Sequence, residues 1–169
     1  MLPTDIKQRY LELTDINREL YEASVLMSKD VVAMYNSIKE IQEQLHNDRD
    51  LVAELDSLGD TAPIDISDMA KTLLSFVNMF NTFTKDLLSF MQLHADVKER
   101  IPIFITVIGD GGKRMVDPNC SNENRYKILD LLSESLTELK NEFYDSKQHW
   151  AGLCERFSEI EKIYNESIK

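Results

Sequence analysis

The sequence predicts an all-α fold, an elongated antiparallel bundle of three long helices with coiled-coil-like packing. Three observations lead there. Glycine and proline, which interrupt regular structure, fall in clusters. The long intervals between the clusters carry apolar residues in an alternating three-and-four spacing, the period of a heptad seam. Five glycines and four prolines in 169 residues are about half the usual frequency, too few for a turn-rich sandwich or linker-type disorder. A chain of this length buries roughly 70% of its unfolded surface, enough for a real core.

The first interval, Thr4 to Leu58, contains neither Gly nor Pro. Its seam is Ile6, Tyr10, Leu13, Leu20, Met27, Val31, Met34, Ile38, Ile41, Leu45, Val52 and Leu55, with Asn17, Ser24 and Asp48 as polar members of the same register. A helix over about 4–57 is expected, roughly 75 Å long at 1.5 Å per residue. The second helix is expected over about 65–108, capped by Asp65 or Ser67 after Pro63. It has no charged residue from Thr72 to Thr84, and apolar side chains cover most of its circumference, leaving one polar stripe through Lys71, Ser75, Asn78, Thr82, Lys85, Ser89, Gln92 and Asp96. Such a helix is expected to be central. The third, over about 119–168, starts near Asp117-Pro118 or at Ser121 or Asn122. Its seam is Leu129, Leu132, Leu136, Leu139, Phe143, Trp150, Leu153, Phe157, Ile160 and Tyr164, with Ser146 as the polar gap and Gly152 as a weak point. Short connections make neighbouring helices antiparallel within one domain.

The segment Ile101–Val116 is ambiguous. Its first eight residues are rich in β-branched side chains, which favour strand, and Gly109-Asp110-Gly111-Gly112 suits a hairpin turn. The alternatives are a second helix that passes a kink at Pro102 and caps at Gly109, or an extended or hairpin tip.

Composition narrows function mainly by exclusion. A formal charge of −11, from 19 Lys and Arg against 30 Asp and Glu, argues against a nucleic-acid partner. No secretory leader pattern begins the sequence, and Lys85 and Asp86 interrupt the most apolar stretch, so a cytoplasmic protein is expected. Two cysteines, one in a loop and one far along a helix, are expected to remain free thiols. Gly109-Asp110-Gly111-Gly112-Lys113 lacks the spacing of a phosphate-binding loop. Glu43 and His46 have the spacing of a di-iron ligand pair, with His149 at about the same height. No second such pair exists, and all three histidines are expected at the surface or rim. No catalytic residue, cofactor or metal is expected, and the chain is expected not to be an enzyme.

The functional expectation is a non-enzymatic interaction or scaffold module, a helical rod forming a homodimer or joining another helical protein. The apolar surplus of the second helix places the interface on its outer side, at Leu74, Met79, Phe83 and Leu88. The alternative rests on residues 98–127, the only stretch with a net positive balance, where Arg100, Phe104, Ile105, Lys113 and Arg114 form an apolar tip with a basic rim suited to an anionic membrane. In outline, three long kinked antiparallel helices are similar to BAR-type curvature scaffolds, and an apolar tip on a helical rod resembles the head of helical pore-forming toxins. The acidic balance departs from the basic concave face of a BAR scaffold.

Overall fold

The computed structural model describes residues 2–56 and 64–168, with side chains described for 2–47 and 71–166. The predicted loop at Gly59 and Pro63 lies outside the described residues, as do the side chains of Asp48, Val52, Leu55, Asp65, Ser67 and Met69. Three long helices pack against one another: α1 (Thr4–Asp56), α2 (Ile64–Val116) and α3 (Asn122–Ile163), the last followed by a wider π-helical turn, Tyr164–Ile168. Among the described residues there is no strand.

The heptad period explains these helices almost residue by residue. On α2 the buried positions run Leu73, Phe76, Phe80, Phe83, Leu87, Phe90, His94, Val97, Ile101, Phe104, Ile108, Gly111 and Met115, alternating steps of three and four without a break. That run decides the ambiguous segment. α2 does not cap at Gly109; it continues to Val116, and there is no hairpin. Ile101, Phe104, Ile108 and Met115 are all buried, so the burial available to a helix outweighs the modest propensity penalty of its β-branched residues and glycines. Pro102 is exposed, so the hydrogen bond it deletes faces water.

Two glycines of this turn-like stretch, Gly111 and Gly112, are packing residues. A Cβ on Gly111 would lie 2.9 Å from Leu132 Cδ1, and one on Gly112 would lie 2.5 Å from the Tyr10 hydroxyl. They let neighbouring helices approach, and Tyr10 takes advantage by donating its hydroxyl proton to the Ile108 carbonyl at 3.1 Å. α2 ends where Arg125 intervenes, its Nε donating to the Met115 carbonyl at 2.7 Å and its Nη2 to that of Asp117 at 3.1 Å. α3 then starts with Ser121 as its cap, the Oγ accepting from the Asn124 amide at 3.2 Å.

The chain divides into two compact units, each taking a segment of every long helix. The first comprises Met1–Lys29 with Met91–His149, the second Asp30–Phe90 with Trp150–Lys169. In the first, Arg9 pairs with Asp130 at 2.9 Å and Tyr126 donates to Asp5, so α1 and α3 run parallel there. Arg100 bridges Asp96 and Glu142, and His94 packs on Phe143, so α2 runs antiparallel to α3. The core of the second unit is built on rings: Phe76 against Tyr164, Phe83 against Phe157 and Phe90 against Trp150, with centroids 5.7–5.8 Å apart. Arg156 reaches over Phe83 and pairs with Asp86 at 2.8 Å.

Candidate functional site

Helix geometry redistributes the residues expected to form the interface. Phe83 is fully buried against Phe157 and belongs to the core. Leu74, Met79 and Leu88 are exposed, but at roughly 100° per residue Met79 points about 140° from Leu74 and about 180° from Leu88. They do not form one patch. Only part of the apolar surplus of α2 is taken up by its neighbours on either side, as at the half-buried Val77 and Met91. Met79, Leu93 and Val107 share the heptad edge of Asp86 and Arg100, whose ion pairs with Arg156 and Glu142 show that this edge runs along α3. Val77, Met91 and Ile105 share the edge of Gly112, which meets Tyr10 of α1. Leu93, Ile103, Ile105, Val107 and Val116 are nonetheless exposed, and so are Leu74 and Leu88, which lie two heptads apart on one edge and are about half exposed.

The expected tip is also rearranged. Phe104 is buried, and Arg100 is engaged by two carboxylates. Arg125, in the same net-positive stretch of residues 98–127, holds the end of α2. Ile105 is exposed, and Lys113 and Arg114 occupy the exposed last turn of α2. Close by, an apolar groove of about 240 Å³ lies between the start of α1 and the end of α2, with Leu2, Lys7, Leu11 and Val116 among its lining residues. Leu11 and Val116 are both 61% exposed.

A larger groove of the first unit escaped sequence reasoning. About 360 Å³ in volume, it lies between α1 and α3. Leu20 and Phe143 form its buried floor, and Ile16, Glu19, Lys140, Asn141, Tyr144 and Lys147 its walls. Tyr144 is 58% exposed. Its sequence signal was the pair Lys140 and Lys147, seven residues apart on one edge of α3 beside the seam residue Phe143.

Titratable chemistry is sparse. His94 is not at the surface: it is buried at a seam position, its pKa pushed below the ordinary value by burial and secondarily by the charge of Lys98. His46 and His149 are exposed. Among the described residues no group of three or more His, Cys, Asp or Glu side chains could hold a metal ion. Cys120 and Cys154 are free and half-buried. Burial, together with the nearby charge of Asp30, raises the Cys154 thiol and leaves it less of the nucleophilic thiolate. No helix of the described residues is long and apolar enough to cross a membrane. No protein-family model, curated protein or solved structure matches the chain.

Proposed function

We propose that the chain is a non-enzymatic interaction or scaffold module that assembles with a second copy of itself or with another helical protein in the cytoplasm. The observation that carries this reading is the exposure of large apolar side chains on helices whose seams are already filled. Leu74 and Leu88 stand about half exposed on one edge of α2, outside the core formed by Phe76, Phe80, Phe83 and Leu87. A partner helix laid along the edge would bury the exposed half of each, worth about 1 kcal/mol per side chain. Light scattering across micromolar concentrations tests the idea. An assembly larger than 19.6 kDa, reduced to monomer by Leu74→Glu with Leu88→Glu, is the expected result; a monomer at every concentration that also retains no protein partner would end it.

One observation favours a second reading, contact with an anionic membrane. Exposed Leu11 and Val116 border an apolar groove, with Lys7 in its wall and Lys113 and Arg114 in the adjoining turn. Sedimentation with phosphatidylserine vesicles, lost on Lys113→Glu with Arg114→Glu, is the outcome that would favour it.

A further inference from the structure

We propose that the groove between α1 and α3 of the first unit receives an amphipathic helix of a partner protein, its acidic flank lying against Lys140 and Lys147. The inference rests on the interaction-module reading and assigns it a second surface, separate from the Leu74–Leu88 edge.

The chemistry of the groove specifies this occupant. Its floor is Leu20 and Phe143, and Ile16 and the exposed Tyr144 ring extend the apolar surface upward on opposite walls. An apolar stripe fits there. The two lysines line the α3 wall, and among the described residues neither takes part in an ion pair. In a chain of charge −11, an apolar groove with two cations along one wall selects for acidic partners by charge complementarity.

Spacing makes the partner a helix. Lys140 and Lys147 are seven residues apart, about 10.5 Å along α3. A helix laid parallel or antiparallel to α3 returns to the same edge every seven residues, so Glu or Asp at one flanking heptad position meets both lysines while its seam fills the floor. The result extends three-helix packing to four. Glu19, on the α1 wall, would face the other flank of the incoming helix and favours a basic residue there.

Fluorescence anisotropy with the full chain tests the proposal. The probe is a labelled helical peptide of about 20 residues, with Leu at both seam positions and Glu at both flanks; the comparison peptide has Lys at the flanks. The Glu peptide is expected to bind about tenfold more tightly, as two partly exposed charge pairs allow, and to weaken with added salt. Lys140→Glu with Lys147→Glu should reverse the preference, while Tyr144→Ala weakens both peptides without reversing it. Because both lysines are exposed, circular dichroism should show unchanged helix content; if the double reversal fails to fold, Lys140→Gln with Lys147→Gln should abolish the preference.

Equal binding of the two peptides, or a preference that survives the charge reversal, overturns the proposal. So does failure of the Glu peptide to bind while phosphatidylserine vesicles bind through the same lysines, which would assign the groove to lipid. The Leu74→Glu, Leu88→Glu chain separates this proposal from the one it rests on. Assembly through that edge with no peptide binding removes the groove alone, whereas peptide binding by a chain that never self-assembles removes only the homodimer.

Discussion

The two units are built on the same heptad period and fill it differently. In the second, the described buried seam is apolar throughout and centred on large rings, including Phe80, Phe83 and Phe90, each at most 1% exposed. In the first, Asn17, Ser24 and His94 occupy seam positions, Gly111 and Gly112 draw helices together, and the Asn17 Oδ1 is buried without a hydrogen-bond partner. The period therefore fixes which residues go inside but leaves open how the interior is held. One unit uses dispersion and ring stacking. The other uses close backbone approach and polar placements that penalise slipped registers, a role best attested for polar seam residues in coiled coils. Both grooves described here lie in the first unit.

The largest effect expected from this difference is at Phe83. Truncation to Ala removes a fully buried ring stacked on Phe157 and should cost about 3–5 kcal/mol in urea unfolding. Hydrogen exchange should show lost protection in residues 30–90 and 150–168 first. Equal loss in residues 2–29 and 91–149 would mean that the two units unfold as one, and the contrast would then be one of composition only.

A smaller effect is expected at the close approaches of the first unit. Gly111→Ala places a methyl 2.9 Å from Leu132 Cδ1, and overpacking of this kind costs about 1–3 kcal/mol. Gly112→Ala meets the Tyr10 hydroxyl, so it should also weaken the bond to Ile108, and Tyr10→Phe should remove part of that penalty. The alternative, a glycine tolerated only as a turn residue, predicts stabilisation by Ala in a helix and is distinguished by sign.

These glycines also show how much was legible. The three helices, their seams and the polar gaps Asn17, Ser24 and Ser146 could be read directly, because the heptad period is a local signal. The length of α2 could not: Gly109-Asp110-Gly111-Gly112 has the composition of a turn, and only the side chains of Leu132 and Tyr10, distant in sequence, explain why glycine suits a helix there. His94 was missed because it was judged as a polar residue rather than by its place between Phe90 and Val97. The exposed face of α2 was half legible. Counting apolar residues on α2 identified a surplus, but which of its edges faced α1 or α3 was fixed by partners such as Arg156 and Glu142, again far away in the chain.

His94 gives the first unit a pH dependence that the described seam of the second lacks. Its pKa is lowered in the folded state, by burial first and by Lys98 second, so the unfolded chain binds its proton more readily than the folded one. The contribution of neutral His94 to stability is complete above its ordinary pKa of 6.5 and declines as pH falls below it toward the lowered folded value. The groups near it include Lys98 on its own helix, Phe143 on α3 and, by register, Ser24 on α1; Glu142 is paired with Arg100. Urea midpoints measured from pH 7.5 down to about 5 should fall less steeply in His94→Leu than in the unmodified chain. An unchanged slope would place the titration elsewhere.

The smallest effect is the most direct control on the comparison. Gly109 in the first unit and Gly152 in the second both lie within helices, and a Cβ at either meets nothing within 4 Å. Their cost is then that of glycine in any helix, the backbone freedom lost on folding, about 1 kcal/mol relative to Ala. Gly109→Ala and Gly152→Ala should each stabilise the chain by up to that amount, and thermal unfolding should show gains of similar size. Similar gains would mean that helix propensity acts alike in both units and that the penalty at Gly111 is one of packing alone. A gain at Gly152 with a loss at Gly109 would instead show that the whole stretch from Gly109 to Gly112 is held under tension by its neighbours, with the close approach of α1 to α2 extending a full turn beyond the Tyr10 contact.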